Sequence, residues 1–203
     1  MTDAPRTVPP LVLASQSPRR AELIGRLGLL FETAPANIDE SYLSHELPEG
    51  HAERLAREKA QAIAGGRPEA LVIGSDTIVV VDGDVLGKPR GREHAVQMLL
   101  RLSGREHFVC TGIAVAHGGV VRSDLVRVRV RFRTLTQRAC EQYVDTGEPM
   151  DKAGAYGIQA YGSAIVEGIE GDYFAVMGLP VSRMLELISL FGWRYAFGRL
   201  EAE

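Results

Sequence analysis

The sequence predicts an α/β fold, and three observations carry that prediction. An apolar run at residues 11–14 leads straight into a helix-start signal. Strand-like runs and helical periodicities then alternate along the whole length. Two glycine-containing pairs, Asp82-Gly83 and Gly118-Gly119, lie between apolar runs, where tight hairpins are expected.

Taken in order, residues 11–14 read as a short buried strand. Ser17 is placed as the N-cap of the first helix, with Pro18 at its first position and Gly28 as its stop. After a loop containing Ile38-Asp39-Glu40, helical periodicity runs from about residue 51 to 64 and ends at Gly65-Gly66. Residues 70–89 predict two or three strands around the Asp82-Gly83 turn, since a type I′ turn needs positive φ at both central positions. A helix follows over 92–102, then a second hairpin turning at Gly118-Gly119, then a helix over 137–146. The glycine-rich stretch 151–172 is expected to be mostly loop and short strand, and Pro180 opens a last helix through residue 191. We expect a loose tail over 1–10, one domain over 11–195 and a C-terminal tail over 196–203.

Composition narrows the function. The chain has 203 residues, 45% hydrophobic and 24% charged, enough to bury a full core. A formal net charge of -3 gives no global basic field for nucleic acid. Cys110 and Cys140 form no CxxC pair and read as buried thiols, and the five histidines show no metal-ligand spacing. No apolar run is long enough to cross a membrane, and no targeting segment is evident, so a cytoplasmic location is expected.

Several residues could carry chemistry. Ser15 to Arg20 follow a strand and open a helix, where free N–H groups and the positive dipole end suit phosphate. Arginines in a first turn oppose the dipole by about 0.3–1 kcal/mol each, a sign that a bound anion reverses. In isolation the segment reads equally well as a solvated basic helix start. Asp76 lies in an apolar strand, where a lone carboxylate is costly unless a hard cation, a lysine or a turn satisfies it. The run Gly83 to Pro89 imitates a P-loop but fails in glycine spacing and lacks the hydroxyl residue, which leaves Lys88 as a loop lysine within reach of phosphate. Glu40 and Lys59 are unspecific alone. Gly154 and Gly157 allow close backbone approach to a ligand, and Gln159 offers the donor and acceptor that base-edge recognition needs. Arg127, Arg129, Arg131 and Arg133 share one strand face about 20 Å long at roughly 3.3 Å per residue. An exposed face balanced by carboxylates is the expectation there. No aromatic residue interleaves with the four arginines, so base stacking lacks support.

In order along the chain, LASQSPRRAEL, Ile38-Asp39-Glu40, LAREKA, GSDT, LGKP, SGREHFVCTG, DKAGAYGIQ and VMGLPVSRM resemble the Maf (septum-formation) family of nucleoside triphosphate pyrophosphatases. The resemblance spans about residues 11–190. It implies an elongated mixed central sheet flanked by helices, with an active-site cleft between two lobes. It implies attack of water on the α-phosphorus, release of pyrophosphate and a divalent cation, Mg²⁺ or Mn²⁺. Position by position, Asp76 matches the family's catalytic acidic position, as general base, metal ligand or both, and Glu40 a carboxylate that helps hold the metal. Lys59 and Lys88 match lysines of the phosphate site, and Ser15 and Arg20 its phosphate-binding turn. Arg19, Thr77 and Gln159 match the branch preferring dTTP and UTP; the branch preferring 7-methyl-GTP carries SPWRR, SDQ and a glutamate-containing loop. Ala160 departs from the glycine usual after that glutamine. A homodimer is a further implication, and the alternative function is a nucleotide-sensing binding protein that regulates division.

Overall fold

The computed structural model describes residues 7–203, so most of the expected N-terminal tail lies outside the described residues. Strand β1 (Leu11–Leu13) leads into helix α1 (Pro18–Arg26), then a short strand β2 (Glu32–Thr33). Helix α2 (Pro48–Ala64) precedes the hairpin of β3 (Leu71–Val81) and β4 (Asp84–Leu86). Helix α3 (Arg92–Leu102) precedes the long hairpin of β5 (Glu106–His117) and β6 (Val120–Phe132). The remainder comprises α4 (Gln137–Asp145), three 3₁₀ turns between 148 and 164, β7 (Val166–Glu170), α5 (Tyr173–Met177), α6 (Val181–Ser189) and a terminal hairpin of β8 (Trp193–Tyr195) and β9 (Leu200–Ala202).

Both hairpin turns form as their sequences dictate. Asp82 and Gly83 have φ of 54° and 83°, and Gly118 and Gly119 have 55° and 79°, the doubly positive geometry that suits the strand twist. Pro18 and Pro48 both sit in the first turn of their helices, where a missing N–H is harmless.

The central sheet is mixed, in the order β2-β1-β3-β5-β6-β7, with β4 also on β3. β1 runs parallel to β2 and β3, and the other pairings are antiparallel. Because β5 covers one edge of β3 from Val72 to Val80, β1 and β4 must share the other. β1 covers that edge as far as Ile73, and β4 covers it from Val79. Between them the sheet splits, and Asp76 lies in the middle of the split.

Period-two alternation divides the core between the two faces. On one face, Val72, Ile78, Val80 and Cys110 pack under α2 through Ala52, Ala56 and Ala60. On the other, Leu71 and Ile73 meet α1 and α6, whereas Val79 and Val81 meet α3 and α4. Helix α2 lies against backbone. A Cβ on Gly74 would stand 2.1 Å from the Ala56 carbonyl, and one on Gly112 2.2 Å from that of Ala52.

Two features depart from the sequence expectations. Leu200 is 5% exposed and packs in the same cluster as Trp193, so the expected C-terminal tail folds back as β9. The glycine-rich stretch forms a short strand, β7, as expected, but its loop part winds into two 3₁₀ turns and the end of a third, and the short helix α5 follows it. Both cysteines are buried and free, as expected, and burial pushes the Cys110 thiol up to about 11.

Candidate active site

The split in the sheet opens onto a cavity of about 990 Å³, at the top of the range usual for small-molecule sites. Its walls come from the start of α1, the 35–42 loop, α2, the middle of β3, the loop after β4 and the turns between 148 and 160. The nine residues that match the family's site positions all line it: Ser15, Arg19, Arg20, Glu40, Lys59, Asp76, Thr77, Lys88 and Gln159.

Two carboxylates from distant segments meet on one ammonium. Lys59 Nζ lies 2.7 Å from Asp76 Oδ1 and 2.7 Å from Glu40 Oε1. The lysine is largely buried, with 8% of its surface exposed, a position that a charged side chain takes only when paired. Sequence and fold together explain the reach. Asp76 and Gly74 are two residues apart and so share the face toward α2, and Gly112 stands opposite Asp76 on β5. With glycine at both places the helix backbone descends onto the sheet and brings Lys59 to Asp76. For Glu40, burial pushes the carboxyl up, but the hydrogen bond and charge of Lys59, aided by Lys88 and Arg20, outweigh it and leave the group below its ordinary value.

A second ion-pair unit ties down the chain just after Glu40. Glu46 accepts from Arg54 Nε at 2.6 Å and faces His51 Nδ1 at 2.9 Å, and Arg54 also donates to the Ser41 carbonyl. The Arg54 hydrogen bond is the main cause that holds the Glu46 carboxyl down at about 2, against its burial. Tyr42 stacks on His51 at 3.6 Å between ring centroids and borders the cavity.

The turn between β1 and α1 leaves the helix start without a side-chain cap. Ser17 is the N-cap, but no side chain caps the helix; instead Ser15 Oγ accepts from the Ser17 N–H at 3.1 Å. Arg20 donates to Ser15 Oγ at 3.1 Å, to Thr77 Oγ1 at 3.3 Å and to the Gly178 carbonyl at 2.8 Å. These bonds fix its guanidinium over the split edge of β3. Arg19 pairs with Asp151 at 2.8 Å, and Lys152 shares that carboxylate at 2.6 Å. Lys88 is exposed at the rim, and Gln159 is half-buried on the far wall. Thr77 points to the opposite sheet face from Asp76, yet both border the cavity because it wraps around the open edge.

The arginine stripe lies outside this site. Arg129 pairs with Glu170 at 3.0 Å and Glu106 at 3.7 Å, and Arg131 with Glu167 at 3.2 Å. Arg127 lies 3.6 Å over the Phe108 ring. Arg133 lies just past the end of β6 and donates to the Ala164 carbonyl. An aromatic side chain therefore does stand among these arginines; it comes from the neighbouring strand, which the spacing within β6 could not reveal.

Compared with known proteins, residues 10–191 match the family model described as Maf-like protein. The chain belongs to the Maf-like family. A relative from Moorella thermoacetica, named dTTP/UTP pyrophosphatase, is 53% identical over 90% of this chain and 95% of its own. Relatives of the same name from Symbiobacterium thermophilum and Vibrio cholerae are each 48% identical, over 90% and 91% of this chain and 94% and 100% of theirs. The Maf-like resemblance in the sequence was carried by short motifs, and the fold brings those motifs to one cavity.

Sequence reasoning assigned no individual role to five residues around it. Tyr143 and Glu148 hold the Gln159 turn, and His107 supports Tyr156, which lines the cavity. Asp151 restrains Arg19. The motif DKAGAYGIQ contains Asp151 and Tyr156, but nothing local shows which side chains they meet.

Proposed function

We propose that this protein hydrolyses dTTP and UTP to the nucleoside monophosphate and pyrophosphate. The observation that carries the reading is the Glu40–Lys59–Asp76 cluster in a cavity bordered by Arg19, Arg20 and Lys88. The high identity to relatives named dTTP/UTP pyrophosphatase supports the substrate assignment.

In this reading the triphosphate lies over the uncapped start of α1, with Arg20 and Ser15 on its phosphate oxygens. Asp76 accepts the proton of the attacking water as its oxygen bonds to the α-phosphorus. The bond from that phosphorus to the bridging oxygen breaks, and pyrophosphate leaves with its charge balanced by Lys88 and Arg20. Lys59 offsets the mutual repulsion of Asp76 and Glu40 before substrate arrives. Gln159 presents its amide to the O4/N3 edge of the pyrimidine, and Arg19 and Thr77 complete the specificity wall.

A divalent cation belongs to the proposal. Among the described residues no group of three or more His, Cys, Asp and Glu side chains is placed to hold a metal. The donor set is the two hard carboxylates Glu40 and Asp76, which suits Mg²⁺ or Mn²⁺ taking its other ligands from phosphate and water. When bound, such an ion supplies positive charge against the phosphate oxygens and acidifies water in its shell. No helix among the described residues is long and apolar enough to cross a membrane. We place the activity in the cytoplasm, with its nucleotide substrates.

The test is a panel of nucleoside triphosphates with Mg²⁺ or Mn²⁺, following monophosphate and pyrophosphate together. Cleavage of dTTP and UTP to pyrophosphate is expected, with Asp76→Asn lowering kcat by at least about 100-fold. Release of inorganic phosphate instead, or full activity in Asp76→Asn, would overturn the mechanism. Tight nucleotide binding without turnover would favour a nucleotide-sensing role.

A further inference from the structure

We propose that Glu148 and Tyr143 are positioning residues for base selection, clamping both ends of the 157–162 turn that carries Gln159. The inference rests on the nucleotide reading above and adds to it the device that sets where the base-reading amide stands.

The clamp is built from four hydrogen bonds. Glu148 Oε1 accepts from Tyr143 Oη at 2.9 Å and from the Gly162 N–H at 3.0 Å, and Oε2 accepts from the Tyr161 N–H at 3.0 Å. Tyr143 Oη in turn accepts from the Gly157 N–H at 3.1 Å. One end of the turn therefore hangs on the phenol and the other on the carboxylate, and these two are bonded to each other. Tyr143 is 6% exposed and packs on the buried face of α4 with Cys140 and Val144. Burial raises its phenol pKa, so it keeps the proton that it donates to Glu148.

Between the clamped ends the turn is closed on itself. A Cβ on Gly162 would lie 1.8 Å from the Gly157 carbonyl and 2.7 Å from Tyr143 Oη. The two ends thus touch through glycine backbone, and residues 158–160 form a narrow loop between them, with Ile158 buried in the core. Ala160 takes the left-handed region at φ 49°, and Gln159 beside it is half-buried at the cavity wall.

Charge argues that Glu148 serves more than packing. Glu148 lines the cavity that takes a polyanion in the nucleotide reading, an unfavourable place for negative charge. What it supplies there is acceptor capacity: three donors converge on two oxygens. A glutamine of the same size has one acceptor oxygen and would turn an NH₂ toward a main-chain N–H. Base discrimination through Gln159 depends on its amide standing within a fraction of an ångström of the base edge, because polar discrimination fails when the partner is misplaced.

The test compares wild type, Glu148→Gln, Tyr143→Phe and the double variant, using dTTP, UTP, CTP and GTP with pyrophosphate release as readout. Thermal melts confirm folding, and hydrogen exchange follows the amides of Gly157, Tyr161 and Gly162. Each single variant is expected to melt cooperatively and to expose those amides. Its preference for dTTP over CTP should fall by about tenfold, through KM more than kcat. The double variant should lose little more, since the two residues act as one unit. Folded variants that keep the wild-type preference would overturn the inference, as would an equal fall in kcat on every nucleotide. Tyr143→Phe keeps the ring in the core, so it decides the matter even if Glu148→Gln fails to fold. A wild type that cleaves none of the four triphosphates would overturn the functional reading, and this inference with it.

Discussion

At the scale of single residues, the site depends on groups held where water would not leave them. His107 is the sharpest case. It is 1% exposed, its Nε2 lies 2.8 Å from Tyr156 Oη, and its Nδ1 has no partner among the described residues. Burial lowers its pKa from 6.5 to about 4. The folded state therefore binds fewer protons than the unfolded chain between those values. The stabilisation is complete above pH 6.5 and is lost as the pH falls toward 4. Urea unfolding across that window should show stability dropping by up to roughly 3 kcal/mol. A His107→Gln variant should flatten the slope whatever its own baseline. An unchanged slope in that variant would show that His107 is not the titrating group. Ala160 belongs to the same scale: it occupies a left-handed φ that glycine adopts without strain, which gives the expected glycine at this position its physical reason.

At the scale of elements, the contact of α2 with the sheet is what places the catalytic candidates together. Residues that look like fillers decide it. Gly74 and Gly112 present no side chain to the helix, and Ala52, Ala56 and Ala60 present only methyl groups to the strands. A Gly74→Ala change would drive a methyl group to 2.1 Å from the Ala56 carbonyl and 2.8 Å from the Ala60 amide. Helix and strand must then part, which should cost about 3 kcal/mol or more. The same shift should draw Lys59 from Asp76 and lower kcat. Chemical denaturation with activity measured on the folded fraction checks both; a variant of wild-type stability and rate would show that α2 does not bear on β3 in this way. The helices and hairpins themselves were readable from sequence. Pro18 with Gly28, the periodicity that ends at Gly65-Gly66, and the two hairpin pairs are local signals, and each formed within a few residues of its expected place. Helix α5 and the β8–β9 hairpin were not readable, because both are short and are held by burial against the core.

At the scale of the whole molecule, the cavity is a meeting point of elements far apart in the chain. Ser15 follows β1, Glu40 comes from the loop before α2, Lys59 from α2, Asp76 from β3, Lys88 from the loop after β4 and Gln159 from the late turns. A ligand seated there bridges them all and should stabilise the fold as a unit. At about 100 times its Kd, pyrophosphate with Mg²⁺ should contribute about 2.7 kcal/mol. For a chain of this length that raises Tm by about 5–10 °C. Differential scanning calorimetry across a pyrophosphate series reads this directly. A flat Tm up to millimolar pyrophosphate would count against a phosphate site at the start of α1.

What the sequence by itself determined is local and chemical. It contained the α/β alternation, both hairpin turns, the helix starts, the two buried thiols and an ordered set of motifs, each of which contributes at least one residue to one cavity. These are legible because propensity, capping and turn geometry act over a few neighbouring residues. The tertiary structure alone decided the rest. It split one edge of β3 between Ile73 and Val79, gave Lys59 two carboxylates, placed Phe108 under Arg127 and joined Tyr143 to Glu148 beneath the Gln159 turn. Each of these depends on strand order and on how closely a helix can approach a sheet. Those quantities arise from packing between segments remote in sequence, and no single segment encodes them.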